Sequence, residues 1–110
     1  MIREKHRYLL VEASEPIDIG IDRAARQKFE RELYAALRAE LGEAHYFSVN
    51  PRLVLNTGNN SFLMKCSLKG FQSLVLAFAL MKQFDGREMG FYTLKSSGTI
   101  RALKDSLKMA

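Results

Sequence analysis

Apolar and polar positions along this chain change period several times, and each change marks an element. Over His6–Ala13, Tyr8, Leu9, Leu10 and Val11 run together without a turn former, which predicts a strand covered on part of both faces. Pro16 breaks that run, and Asp22 is placed to cap a helix in which Ala25, Phe29, Leu33, Ala36, Leu37 and Leu41 recur at helical spacing until Gly42. Arg26 with Glu30 and Lys28 with Glu32 stand four apart, so that face of the helix reads as a solvated surface. Residues 46–56 and 61–68 are two strand-like runs joined by Thr57, Gly58, Asn59 and Asn60, the composition of a tight hairpin, so they are expected to be antiparallel neighbours. Pro51 cannot donate to a ladder, which moves the regular start of the first of these strands to about Arg52.

Residues 70–84 read as a second helix: Phe71, Leu74, Val75, Phe78 and Met81 make one stripe, and Leu76, Ala77 and Leu80 widen it beyond what one sheet needs. Asp85, Gly86 and Arg87 make a turn, residues 88–94 a fourth strand, and Ser96, Ser97 and Gly98 open a final helix that runs through Leu107. The order predicts an α+β chain: a ferredoxin-like split βαβ sandwich (βαββαβ) whose four-stranded antiparallel sheet carries two helices on one face, with an extra C-terminal helix on the open face or an edge. The 110 residues are read as one domain, 1–110, with a single core. In this reading the first and fourth strands are not direct neighbours, so the chain's two basic ends meet only if the terminal helix folds back.

Charge then narrows the partners. Seventeen Lys and Arg against twelve Asp and Glu leave +5, a balance suited to a polyanion. Cys66 is the only cysteine, which excludes an intramolecular disulfide and fits a reducing, cytoplasmic setting. Charges interrupt the N-terminus where a secretory signal would be apolar, and the longest wholly apolar run is eight residues, against the roughly 20 of a spanning helix, so no membrane role is expected. His6, His45 and Cys66 have no metal-ligand spacing, and no nucleophile or carboxylate pair stands out, so neither catalytic residues nor a metal site are assigned to the chain.

The chemistry that remains is anion recognition. Lys95, Ser96, Ser97, Gly98 and Thr99 precede a helix start, where unpaired N–H groups and the helix dipole suit a phosphate. Arg101, Lys104 and Lys108 then share one helix face, opposite Ile100, Leu103 and Leu107. A capped amphipathic helix with solvated lysines is the plainer reading of the same residues. Arg3, Lys5, His6 and Arg7 form a second basic cluster, and Arg52 completes the candidate RNA contacts. The strand around Phe62 to Leu68 lacks the Lys/Arg-Gly-aromatic signature of base-stacking sheets, so backbone contacts with salt-sensitive affinity are expected.

Three segments carry a more specific signal: His6, Arg7, Tyr8, Leu9, Leu10; then Asn50, Pro51, Arg52, Leu53; then Ser97, Gly98, Thr99, Ile100, Arg101, Ala102, Leu103, Lys104. In this order and spacing they resemble the ribonuclease P protein component 2 family, the small archaeal subunit with a eukaryotic counterpart. Residues 14–20 carry no distinctive mark of that family.

The resemblance implies a protein subunit of ribonuclease P that assists a catalytic RNA in removing the 5′ leader of precursor tRNA. It implies ribonuclease P RNA, precursor tRNA and the barrel-like protein component 3 as partners, with magnesium serving the RNA and no cofactor bound by the protein. It also favours reading the surplus apolar helix surface as a subunit interface, with Phe71, Leu74, Phe78 and Phe84 as its candidates. Two other classes stand beside it. A regulatory ligand-binding or stand-alone RNA-binding module of the same topology is one; an acylphosphatase-like enzyme is the other, although the stretch from Ser14 to Asp18 lacks the glycines and arginine of its phosphate loop.

Overall fold

In the computed structural model the described residues are 5–17, 23–58, 60–84, 86–99 and 101. The elements run β1 (His6–Ala13), α1 (Arg23–Leu41), α2 (Glu43–Val49), β2 (Arg52–Asn56), β3 (Ser61–Ser67), α3 (Phe71–Leu80), β4 (Gln83–Phe84), β5 (Arg87–Glu88) and β6 (Phe91–Ser97). The sheet order is β2-β3-β1-β6, all pairs antiparallel, which is the expected ferredoxin-like arrangement with α2 and the small β4-β5 hairpin added.

Strand parity divides the sheet into two faces. Leu9, Val11 and Ala13 of β1, Phe62, Met64 and Cys66 of β3, and Phe91 of β6 point toward the helices and share one core with Phe29, Leu33 and Leu37 of α1, Val49 of α2 and Leu74 and Phe78 of α3. Four phenylalanine rings close a cycle there, Phe29 to Phe62 (5.4 Å), Phe62 to Phe91 (6.2 Å), Phe91 to Phe84 (5.6 Å) and Phe84 back to Phe29 (5.7 Å), each edge to face. Phe78 leans on two of them. On the opposite face Leu10 and Leu63 are buried among Tyr8, Val54 and Leu55.

Residues 46–49, expected as strand, are helical. Tyr46 and Val49 are buried three apart while Phe47 is exposed, a helical rather than alternating pattern that the aromatic and β-branched composition disguised. Asn50 closes α2 in the left-handed region (φ 50°), its N–H donating to the Tyr46 carbonyl, and Pro51 prevents the helix from continuing. The Asn50-Pro51 pair is therefore the punctuation between a helix and strand β2. Gly70 is required where α3 begins, because a Cβ there would lie 2.6 Å from the Val49 Cα of α2.

The outer strands are both irregular. One residue, Val54 in β2, falls between the pairs Leu53↔Met64 and Leu55↔Leu63. Leu94 does the same in β6, between Val11↔Thr93 and Leu10↔Lys95. Strand β6 also lies three residues later than expected, because Arg87 and Glu88 are held by the hairpin with Gln83 and Phe84. Lys95, Ser96 and Ser97 are consequently strand residues and not a helix entry.

Candidate nucleic-acid interface

The two basic segments meet through the sheet itself. Strands β1 and β6 are hydrogen-bonded neighbours, with Tyr8 opposite Ser97 and Leu10 opposite Lys95, so the start of one lies beside the end of the other. The expected need for a helix folding back is thus corrected.

Ladder register then sets out the open face. Arg52 pairs with Lys65, Lys65 with Tyr8, and Tyr8 with Ser97, one row crossing all four strands. Lys95 stands one row on, beside Leu10, and His6 one row back, opposite Ser67. Glu12, opposite Ser61 and Tyr92, lies at the other end of β1. Lys65, Lys95 and His6 share one end of the face and the β1 carboxylate the other, which gives a polarised surface around a small apolar centre, while Arg52 at the edge turns its guanidinium toward Tyr34 of α1. Lys65 had no place among the sequence candidates, yet it is detectable: it is the single charge in an apolar strand and has the parity of Leu63, not of Met64.

Beyond the ladder, the Ser97 hydroxyl accepts a hydrogen bond from the Thr99 N–H (3.2 Å), which shapes the bend at Gly98. Lys5 is exposed and its carbonyl accepts the Leu68 N–H (3.0 Å); Arg101 is exposed at the last described position. Arg3, Lys104 and Lys108 lie outside the described residues.

Arg7 is separated from this surface. It has the parity of Leu9 and points to the helix side, where its guanidinium lies 5.1 Å from the Phe71 ring centroid and makes a long 3.5 Å contact to the Ser96 hydroxyl. Part-buried on the helix side of the sheet, Arg7 makes a structural contact there. Arg7→Ala is expected to cost about 0.5–2 kcal/mol in urea unfolding and to leave the salt dependence of RNA binding unchanged; a shallower salt slope would return Arg7 to the RNA surface.

The interface candidates on the second helix are likewise redirected. Leu74 and Phe78 have no exposed surface, Phe84 belongs to the aromatic cycle, and Phe71 is half-buried beneath Arg7, so these side chains are taken up within the chain. The apolar surface that α3 does leave open is Leu76 and Leu80, 58% and 56% exposed.

Cys66 packs in the core, and burial pushes its thiol up to about 11, which keeps it protonated and unreactive at neutral pH. Among the described residues no three His, Cys, Asp or Glu side chains gather as a metal site, and no helix is long and apolar enough to cross a membrane.

A model of the Rpp14/Pop5 family matches residues 7–108. No curated protein sequence matches the chain. Among solved structures, a chain of the yeast ribonuclease MRP cryo-EM structure is similar in fold, with a TM-score of 0.65 and 12% identity over 99% of this chain and 93% of that one.

Proposed function

Because the chain belongs to the Rpp14/Pop5 family and is thereby a ribonuclease P protein subunit, we propose that it works by holding RNA backbone against the basic end of its open sheet face. The observation that carries this reading is the open-face register of β3, β1 and β6, which sets Lys65 beside Tyr8 and Lys95 beside Leu10, so that cations of two strands share one surface. Such a surface neutralises phosphates and releases their counterions, an attraction that depends on salt and reads little sequence. The bond-breaking chemistry belongs to the catalytic RNA and its magnesium, and the substrate is precursor tRNA, from which the 5′ leader is removed. The chain supplies no catalytic group in this account.

Component 3, the barrel-like subunit, is the protein partner we propose, and the exposed Leu76 and Leu80 of α3 are the surface best suited to it. Reconstitution tests the reading. Cleavage of precursor tRNA by the RNA and its other protein subunits, at magnesium low enough to make proteins necessary, is expected to fall when this chain is left out. Equal rates with and without it would overturn the proposal.

A further inference from the structure

The corner between α1 and α2 carries a group that the sheet surface does not use. Phe47 is 63% exposed, the most open of the large apolar side chains among the described residues. It stands edge to face on Tyr46 (5.6 Å), and the Arg38 guanidinium lies 5.4 Å from its ring centroid. Its two neighbours Arg38 and Tyr46 also line a groove of about 570 Å³ along α1, together with Arg31, Tyr34, Ala35 and Glu43.

A lone exposed phenylalanine would be unremarkable. Its setting is what identifies a ligand. Arg31 and Arg38 are seven residues apart on one face, about 10 Å along the axis. Arg31 has no ion-pair partner among the described residues, in contrast with Arg26 and Lys28, which pair with Glu30 and Glu32. Arg38 is shared with Glu43, but both side chains are about half or more exposed, so that pair is easily exchanged. An apolar protein surface seated on Phe47 would have to desolvate these guanidinium groups, whereas a polyanion neutralises them.

The corner is also continuous with the sheet surface. Arg52, the first member of the register row, holds its guanidinium 6.0 Å from the ring of Tyr34, which lines the groove.

We propose that this corner is a second RNA contact, specific for an unpaired nucleotide, with the base stacked on Phe47 and the flanking phosphates held by Arg31 and Arg38. The proposal rests on the ribonucleoprotein reading above and adds to it a preference for single strands. Aromatic side chains beside arginines give stacking that tolerates any base, because every base has a π face. The sheet end, lacking an exposed aromatic signature on β3, accepts paired and unpaired backbone alike.

The chain contains no tryptophan, so Phe47→Trp introduces a single fluorescent reporter at the contact. In the full-length chain its emission is expected to be quenched by oligouridine and not by a blunt RNA duplex of the same length. Phe47→Ala is expected to weaken oligouridine binding roughly 5- to 100-fold while leaving duplex binding and the thermal midpoint unchanged. Arg31→Gln with Arg38→Gln is expected to make the single-strand salt slope shallower by about 1.4. Unquenched emission together with unaltered oligouridine affinity in Phe47→Ala would overturn the corner site and leave the sheet surface standing. Absence of any RNA binding by the unmutated chain would remove both.

Discussion

Replacing Lys65 and Lys95 with glutamine lowers the affinity of the chain for duplex RNA on the order of 10- to 100-fold at 0.1 M salt, and makes the salt dependence shallower by nearly two. The magnitude follows from counterion release: each lost phosphate contact returns about 0.9 of an ion to the RNA, and at 0.1 M each such ion is worth close to a factor of ten. Both lysines stand on the open face, Lys65 beside Tyr8 and Lys95 beside Leu10, and neither belongs to the packed cores. The unfolding midpoint is therefore expected to move little. Filter binding across a salt series, with urea unfolding alongside, decides the matter. Lost affinity with an unchanged salt slope would mean that the lysines act through the fold and do not meet phosphate.

The largest effect on stability is expected at Phe62. Its ring is fully buried and touches Phe29, Phe78 and Phe91, so it joins α1, α3 and β6 through β3. Phe62→Ala removes the transfer free energy of a benzyl group and leaves a cavity that four converging elements cannot readily close, a loss of about 3–5 kcal/mol. Against a total of roughly 5–15 kcal/mol, the variant stands near the limit of folding. With a urea dependence of about 2 kcal/mol per molar, the midpoint falls by roughly 2 M. A shift below about 0.5 M would show that the aromatic cycle is not the centre of the core. Phe62→Leu, which keeps most of the volume, is expected to recover more than half of the loss.

The elements with one dominant period were legible in the chain itself. The helix from Arg23 to Leu41 is set by Phe29, Leu33 and Leu37, and its outer pairs Arg26 with Glu30 and Lys28 with Glu32 form as their spacing requires. Strand β1 follows from its contiguous apolar run, and the β2-β3 pairing from the turn chemistry between them. What escaped was decided by tertiary contact. Residues 43–49 are helical because Tyr46 and Val49 reach one core, although their composition suits a strand. Ser96 and Ser97 resemble helix-entry residues, but pairing with Leu9 and Tyr8 draws them into the sheet.

For the candidate site the missing ingredient was parity. Grouping Lys5, His6 and Arg7 as one basic cluster ignores that successive strand residues face opposite ways. Counting in twos from Leu9 and Val11 sends Arg7 to the helices, and counting from Leu63 brings Lys65 out. The surplus apolar surface of α3 was correctly noticed, yet Leu74 and Phe78 are spent inside, and only Leu76 and Leu80 remain outward. Hydrophobicity alone does not distinguish the two sides of a short helix that is apolar nearly all round.

An extra residue interrupts each margin of the sheet, Val54 in β2 and Leu94 in β6, and Pro51 denies β2 a donor where it begins. A straight border strand would offer its free peptide groups to any extended neighbour, including another molecule of the same kind. Kinked borders refuse that invitation. Edge-to-edge growth of the sheet is thereby disfavoured at both limits.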